Sequence, residues 1–447
     1  MKVCLSAGTA LILAGLSLVS VVQGQDQPTA TAPTNDAILR QMQELQAEVK
    51  SLRAEVTALK SASVPAPAPA FAPAATAPLP SEAMVASTSA PAATPAPTGL
   101  AGLLGPTTLS GFVDTYYGFN SNHPPTRQNG LRNFDVNTNQ FGLNLIELVA
   151  NKSVDNTNRL GYHVALGFGQ AMNAVNSASP TELGFDQFLK EGYLKYMVPI
   201  GKGLQINVGK FVTPAGAEVI ESKDNWNYSR SLLFSWAIPY FHFGASAKYA
   251  LNSKFAVTGY VVNGWNNSID NNTGKTVGFS AAWAPNAKFS ITQTYLGGPE
   301  QANDNSDWRH LSDTVITYNP SANLSLMANY DYGHEDIGLA QARAFAVAKW
   351  SGLAGYAKYA PNDKWAVSLR GEYFDDNQGW TTGTAQELSE FTVTLQRAFS
   401  RKLISRLEVR RDMTEARTFL RGANGTTGGQ NTAAIGLVYA FSSADAK

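Results

Sequence analysis

Residues 107–441 are built from short runs in which apolar and polar side chains alternate, and that period limits the fold more than any other feature. In residues 402–412, Leu403, Ser405, Leu407 and Val409 alternate with Arg406, Glu408, Arg410 and Asp412. In residues 365–375, Trp365, Val367, Leu369 and Tyr373 alternate with Ser368, Arg370 and Glu372. A strand sends successive side chains to opposite faces, so each ribbon has an apolar face and a polar one. Two architectures satisfy this. A soluble sandwich packs its apolar face on a second sheet. A transmembrane barrel turns that face to lipid and wraps the polar face around a water-filled lumen.

The connections favour the barrel. Sixteen segments show the alternation, starting near residues 107, 140, 160, 187, 204, 240, 255, 275, 288, 311, 323, 342, 364, 388, 402 and 431. Connections after even-numbered segments are short, as at 199–203, 251–254 and 285–287. Those after odd-numbered segments are long, the longest being 214–239. Bacterial outer-membrane barrels have short periplasmic turns, long outer loops and an even strand number, whereas a sandwich has no reason to sort its loops. The pattern predicts an all-β fold, a transmembrane antiparallel β-barrel of about 16 strands, with both barrel termini in the periplasm. The last run places Ile435, Leu437, Tyr439 and Phe441 on one face. A closing strand that ends on an aromatic resembles the insertion signal of many outer-membrane proteins, although residues 442–447 follow here as a short tail.

Composition agrees where it discriminates. Charged residues are 15% of the chain, below the roughly 25% usual for soluble domains. The 34 basic and 34 acidic residues cancel, so no basic excess points to nucleic acid. The 17 Tyr and 8 Trp suit membrane interfaces, though aromatics are also ordinary strand formers.

Before the barrel, Lys2 precedes an apolar run, and Val22-Gln23-Gly24 fits a cleavage site. Residues 1–24, with the single cysteine Cys4, therefore read as a secretory signal peptide. No later apolar run approaches the roughly 20 residues a spanning helix needs. Within residues 36–60, Ile38, Met42, Leu45, Val49, Leu52, Val56 and Leu59 are spaced as heptads, with Glu48, Glu55, Arg53 and Lys60 flanking the seam. That pattern predicts a coiled-coil helix and a homo-oligomer; a helix docked on its own barrel is the alternative. Val at a with Leu at d leans to a dimer, whereas outer-membrane barrels of this size are commonly trimers, and both states stay open. Residues 61–106 read as an Ala/Pro-rich, disordered linker, expected to be either a stalk reaching peptidoglycan or a plain spacer.

The phase of the runs assigns an inward face. In the first strand Asp114, Tyr116 and Asn120 oppose Gly111, Val113, Tyr117 and Phe119. The expected pore-lining set is Asp114, Tyr116, Glu191, Lys195, Lys248, Arg370, Glu372, Arg406, Glu408 and Arg410. Five basic and four acidic groups predict weak ion selectivity. The same charges would equally serve to pair across strands and fix barrel shape. The loop 214–239, rich in charged and aromatic residues, either folds into the channel or lies over its mouth. The five histidines have no ligand spacing, so no metal is expected. No nucleophile motif, phosphate loop or cofactor pattern appears, and no catalytic residue is assigned.

Several blocks carry a family resemblance. Gly111-Phe112-Val113-Asp114-Thr115-Tyr116-Tyr117, Gly209-Lys210-Phe211-Val212-Thr213-Pro214, Asn263-Gly264-Trp265 with Asp270-Asn271-Asn272, Gly298-Pro299-Glu300 and Arg370-Gly371-Glu372-Tyr373-Phe374-Asp375-Asp376 occur in that order. Together they resemble the OmpL-like putative beta-barrel porin family over roughly residues 109–441. The resemblance implies a barrel in the bacterial outer membrane, surrounded by lipid and passing small hydrophilic solutes, with no known substrate. A structural protein that tethers the membrane to the cell wall, or a substrate-specific channel, are the alternatives.

Overall fold

The computed structural model describes residues 105–176, 186–338 and 346–446. The expected signal peptide, the seam from Ile38 to Leu59 and nearly all of the linker lie outside the described residues.

Sixteen antiparallel strands close into one barrel. They are β1 (Thr108–Asn120), β2 (Gln140–Lys152), β3 (Leu160–Phe168), β4 (Leu189–Val198), β5 (Leu204–Val212), β6 (Phe241–Ala250), β7 (Phe255–Val262) and β8 (Thr276–Asn286), then β9 (Phe289–Pro299), β10 (Trp308–Tyr318), β11 (Leu324–Asp336), β12 (Val347–Asn362), β13 (Trp365–Asp376), β14 (Gln386–Ala398) and β15 (Leu403–Thr414). A separate small hairpin, β16 (Phe419–Arg421) and β17 (Gly425–Thr427), precedes the last barrel strand, β18 (Gly429–Ser442). Every barrel strand pairs with its neighbours in sequence, and β1 closes on β18 with Gly111 opposite Phe441 and Tyr117 opposite Ile435. Closure leaves no sheet edge to satisfy.

The polarity of the wall decides what surrounds it. In β15, Leu407 is 53% and Val409 52% exposed, while Arg406, Glu408, Arg410 and Asp412 are buried. In β13, Val367, Leu369 and Tyr373 face out and Ser368, Arg370 and Glu372 face in. In water this arrangement would fail twice, exposing apolar side chains while desolvating charges. Hydrocarbon outside removes the first cost, and a closed barrel is the one β-structure able to cross it. Outward aromatics collect at both borders. Trp283, Tyr318, Tyr359, Trp365 and Tyr439 lie towards the short-turn end, and Phe119, Phe141, Phe168, Trp308 and Tyr373 towards the long-loop end.

The short turns share a device. In Asn252-Ser253-Lys254, Asn286-Ala287-Lys288 and Asn362-Asp363-Lys364 the asparagine Oδ1 accepts the lysine backbone N–H at 2.8, 2.9 and 2.9 Å. An Asn side chain that bonds two residues on mimics a backbone turn and reverses the chain cheaply. In the turn after β2, Asp155 caps the N–H groups of Thr157 and Asn158 at 2.6 and 2.7 Å. Those bonds and the Thr157 hydroxyl hold its carboxyl down at about 2.

Candidate functional site

The inward faces of the strands enclose a bore, and residues 213–240 lie inside it. This segment leaves β5 and returns to β6. Both stand diametrically opposite β13 and β14 in the ring, with seven strands between on either side. It nevertheless bonds to β13, β14 and β15, so it crosses the bore and lies along the far wall.

The far wall receives it with charged groups. The Glu408 carboxylate accepts the backbone N–H groups of Tyr228 and Ser229 at 2.6 and 3.0 Å. The Glu372 carboxylate accepts those of Leu232 and Leu233 at 2.7 and 3.2 Å. Guanidiniums take the carbonyls: Arg370 donates to Ser229 O at 2.7 Å, Arg410 to Arg230 O at 2.6 Å, and Arg406 to Asn225 O at 2.7 Å and to Ser222 O. On β1, Asp114 accepts the hydroxyls of Ser222 and Tyr228 at 2.6 and 2.9 Å. Burial pushes the Tyr228 hydroxyl well above its ordinary range, which keeps it a donor. A loop without regular structure has unpaired peptide groups, and burying it demands such partners. Five inward charges of the wall supply those along its middle, residues 222–233.

Packing completes the seat. Trp350 Nε1 donates to Ala237 O at 3.0 Å. The rings of Phe134, Phe234 and Tyr240 pack tilted and edge-on, with centroids within 5.6 Å of one another. Gly436 of β18 accepts the Tyr228 ring against its backbone; a Cβ there would stand 2.5 Å from Tyr228 Cε2.

Of the expected pore-lining set, Asp114, Tyr116, Arg370, Glu372, Arg406, Glu408 and Arg410 converge on this segment or its surroundings. They face the interior, yet they are engaged in bonds rather than presented to open water. Glu191 and Lys195 sit on β4, where Lys195 Nζ donates to Asn151 at 2.9 Å. Lys248 is half-buried on β6.

Other interior charges fell outside the expected set. Glu390 pairs with Arg370 at 2.7 Å, Asp412 with Arg410 at 2.7 Å and with Arg132 at 2.8 Å. Strict alternation along β14 and β15 carries the signal for both. Lys190 had no such signal. The register shifts between Ala165 and Leu166 opposite it, so consecutive Lys190 and Glu191 both turn inward. Lys190 Nζ meets Glu147 at 2.7 Å, Glu191 at 3.5 Å, and Glu221 of the crossing segment.

Two gaps flank the segment. One, of about 200 Å³, lies towards β8–β11 and is lined by Asp224, Trp226, Asn286, Ser290, Thr317 and Tyr356 among others. The second, of about 350 Å³, lies towards β1–β4 and includes Glu147, His163, Lys190, Glu191 and Glu221. Among the described residues no group of three or more His, Cys, Asp or Glu is arranged to hold a metal ion.

Comparison with known proteins agrees with the barrel fold. Residues 106–441 match the family described as Putative beta-barrel porin-2, OmpL-like. Among solved structures, an anion-selective porin from Comamonas acidovorans is similar at 11% identity and a TM-score of 0.51, over 75% of this chain and 99% of that one. The outer membrane channel DcaP of Acinetobacter baumannii is similar at 10% identity and 0.50, over 75% and 97%. OmpF of Salmonella typhi, in complex with daunomycin, gives 16% identity and 0.50, over 75% and 97%. At such identities the likeness is one of fold. No curated protein matches the chain.

Proposed function

The chain belongs to the family of OmpL-like beta-barrel porins, and from that premise we propose that it passes small hydrophilic solutes and ions by diffusion through a narrow, water-filled lumen. The observation that carries this reading is the segment 213–240, fixed across the bore by wall charges yet flanked by gaps of about 200 and 350 Å³. A segment so placed narrows the passage without needing to bind anything. Most interior charges are neutralised by one another, as in the Arg370–Glu218 pair at 2.8 Å and the Arg410–Asp412 pair at 2.7 Å. Small net charge along the path favours weak ion selectivity. In this reading Asp114, Tyr116, Glu191, Lys195, Lys248, Arg370, Glu372, Arg406, Glu408 and Arg410 form the pore lining, most of them by holding the narrowing element.

Refolded protein in a planar bilayer tests this. Discrete single-channel steps are expected, with a reversal potential in a salt gradient that shifts towards cations in Arg406→Ala/Arg410→Ala. A folded barrel that passes no current would overturn it.

A second reading, a plugged barrel serving as a membrane anchor, draws support from the density of bonds on the crossing segment. The heptad seam would then join copies in the periplasm, and the linker would reach peptidoglycan. Removing residues 26–106 separates the two: loss of envelope attachment with solute uptake intact leaves the pore reading standing.

A further inference from the structure

Asp313 of β10 and Asp331 of β11 are register partners on the inward face, and both are 0% exposed. Asp313 Oδ2 accepts from Asn329 Nδ2 at 2.7 Å. The other three carboxyl oxygens, Asp313 Oδ1 and both of Asp331, make no well-formed hydrogen bond among the described residues, the Gly216 amide approaching Asp313 and the Asn329 side chain approaching Asp331 without completing one. An ionised carboxylate only accepts, so two ionised neighbours cannot satisfy one another.

Among the described residues the surroundings bring no compensating cation. Thr294 of β9 lies opposite Asp313 and bonds Ser280 of β8 at 2.9 Å. Gly352 of β12 lies opposite Asp331. The crossing segment contributes Pro214, Gly216 and Ala217. The next charged group acting on the pair is Glu372 of β13, a third carboxylate. Like charges this close in a dry site do not both persist, and a single proton gives the missing donor.

The pair also underlies the entry of the crossing segment. Ala217 N donates to Asn329 Oδ1 at 3.1 Å, and the same Asn329 holds Asp313. Thr294 Oγ1 donates to Pro214 O at 3.4 Å, and the Gly216 amide is turned towards Asp313.

We propose that Asp313 and Asp331 share one proton, as a carboxylic acid hydrogen-bonded to a carboxylate, and that this proton seats the start of segment 213–240 and so sets the width of the pore. The two residues are positioning groups for the narrowing element. When alkali removes the proton, two carboxylates face each other without a donor, Asn329 is pulled out of place, and the segment's base lifts. The conductance consequence rests on the diffusion reading above; the shared proton does not.

The test compares wild type with Asp331→Asn and Asp313→Asn, each confirmed as a folded barrel by heat-modifiable mobility. Either amide restores a donor and removes the second charge. Infrared difference spectra at neutral pH should show a protonated-carboxyl C=O band in wild type that either substitution removes. Single-channel conductance, taken from about pH 5 to about pH 10, should rise at the alkaline end in wild type and stay level in both variants. Absence of the band in wild type, or an alkaline rise that survives in the variants, overturns the proposal. A band without any conductance would keep the shared proton and remove the diffusion reading.

Discussion

Arg370 is 0% exposed, and carboxylates of Glu218 and Glu390 stand 2.8 and 2.7 Å from its guanidinium. Removing one member of such a buried set leaves uncompensated charge, so Arg370→Met is expected to cost about 3–5 kcal/mol in urea unfolding. Adding Glu218→Gln to it should recover part of the loss, because one stranded charge is then gone. Glu300, in the outer loop after β9, behaves differently. It accepts Trp265 N at 2.7 Å and the Thr276 hydroxyl at 2.5 Å, and burial pushes its carboxyl up to about 7. A carboxyl raised in the folded state stabilises fully below its ordinary value of about 4.5 and loses that contribution as pH rises through about 7. The thermal midpoint of wild type should therefore fall relative to Glu300→Gln across that window and run parallel to it outside. At this scale Arg370, Arg406 and Arg410 were legible from alternation alone. Lys190 was not, because a register shift puts two consecutive residues on one side.

The element that gives the interior its shape is the segment 213–240. Its length and charge are visible in the sequence, but local pattern does not distinguish a segment that enters the bore from one that lies over its mouth. The partners that decide it lie 139 to 180 residues further along the chain, at Glu372 and Glu408. Only closure of the ring brings them opposite. The seat depends on close approach as well as charge. A Cβ on Gly436 would meet the Tyr228 ring at 2.5 Å, and one on Gly352 would meet Leu233 Cδ1 at 2.6 Å. Gly436→Val should displace the segment from β18, at about 1–3 kcal/mol for the overpacking. Its signature is a larger single-channel conductance than wild type with the far-ultraviolet β signal unchanged; an unaltered conductance would show that Tyr228 does not set the passage.

Across the whole molecule the surrounding solvent is the organising fact. Leu407 stands 53% exposed near the middle of β15, between buried Arg406 and Glu408. Leu407→Arg is expected to cost about 2–4 kcal/mol for folding into lipid vesicles. Thr392→Ser, on the inward face of β14 opposite Arg410 and fully buried, faces no hydrocarbon and should leave vesicle insertion unchanged. Equal effects on insertion would mean that the two faces are not differently solvated.

Alternation and loop length, both local properties, determined the strand count, the antiparallel meander and the side of each strand that faces lipid. A period of two needs no knowledge of distant residues, and the strand starts written in the sequence lie within a few positions of those observed, the largest displacement being at β12, which begins at Val347. Tertiary structure alone decided the rest: that the longest loop turns inward, that the wall charges hold it, and that Asp313 and Asp331 meet beneath its base. The Asp313–Asp331 meeting needs only the register of neighbouring β10 and β11, but the contacts between segment 213–240 and the far wall exist only after sixteen strands have closed, because closure is what carries residues far apart in the chain to opposite sides of one narrow space.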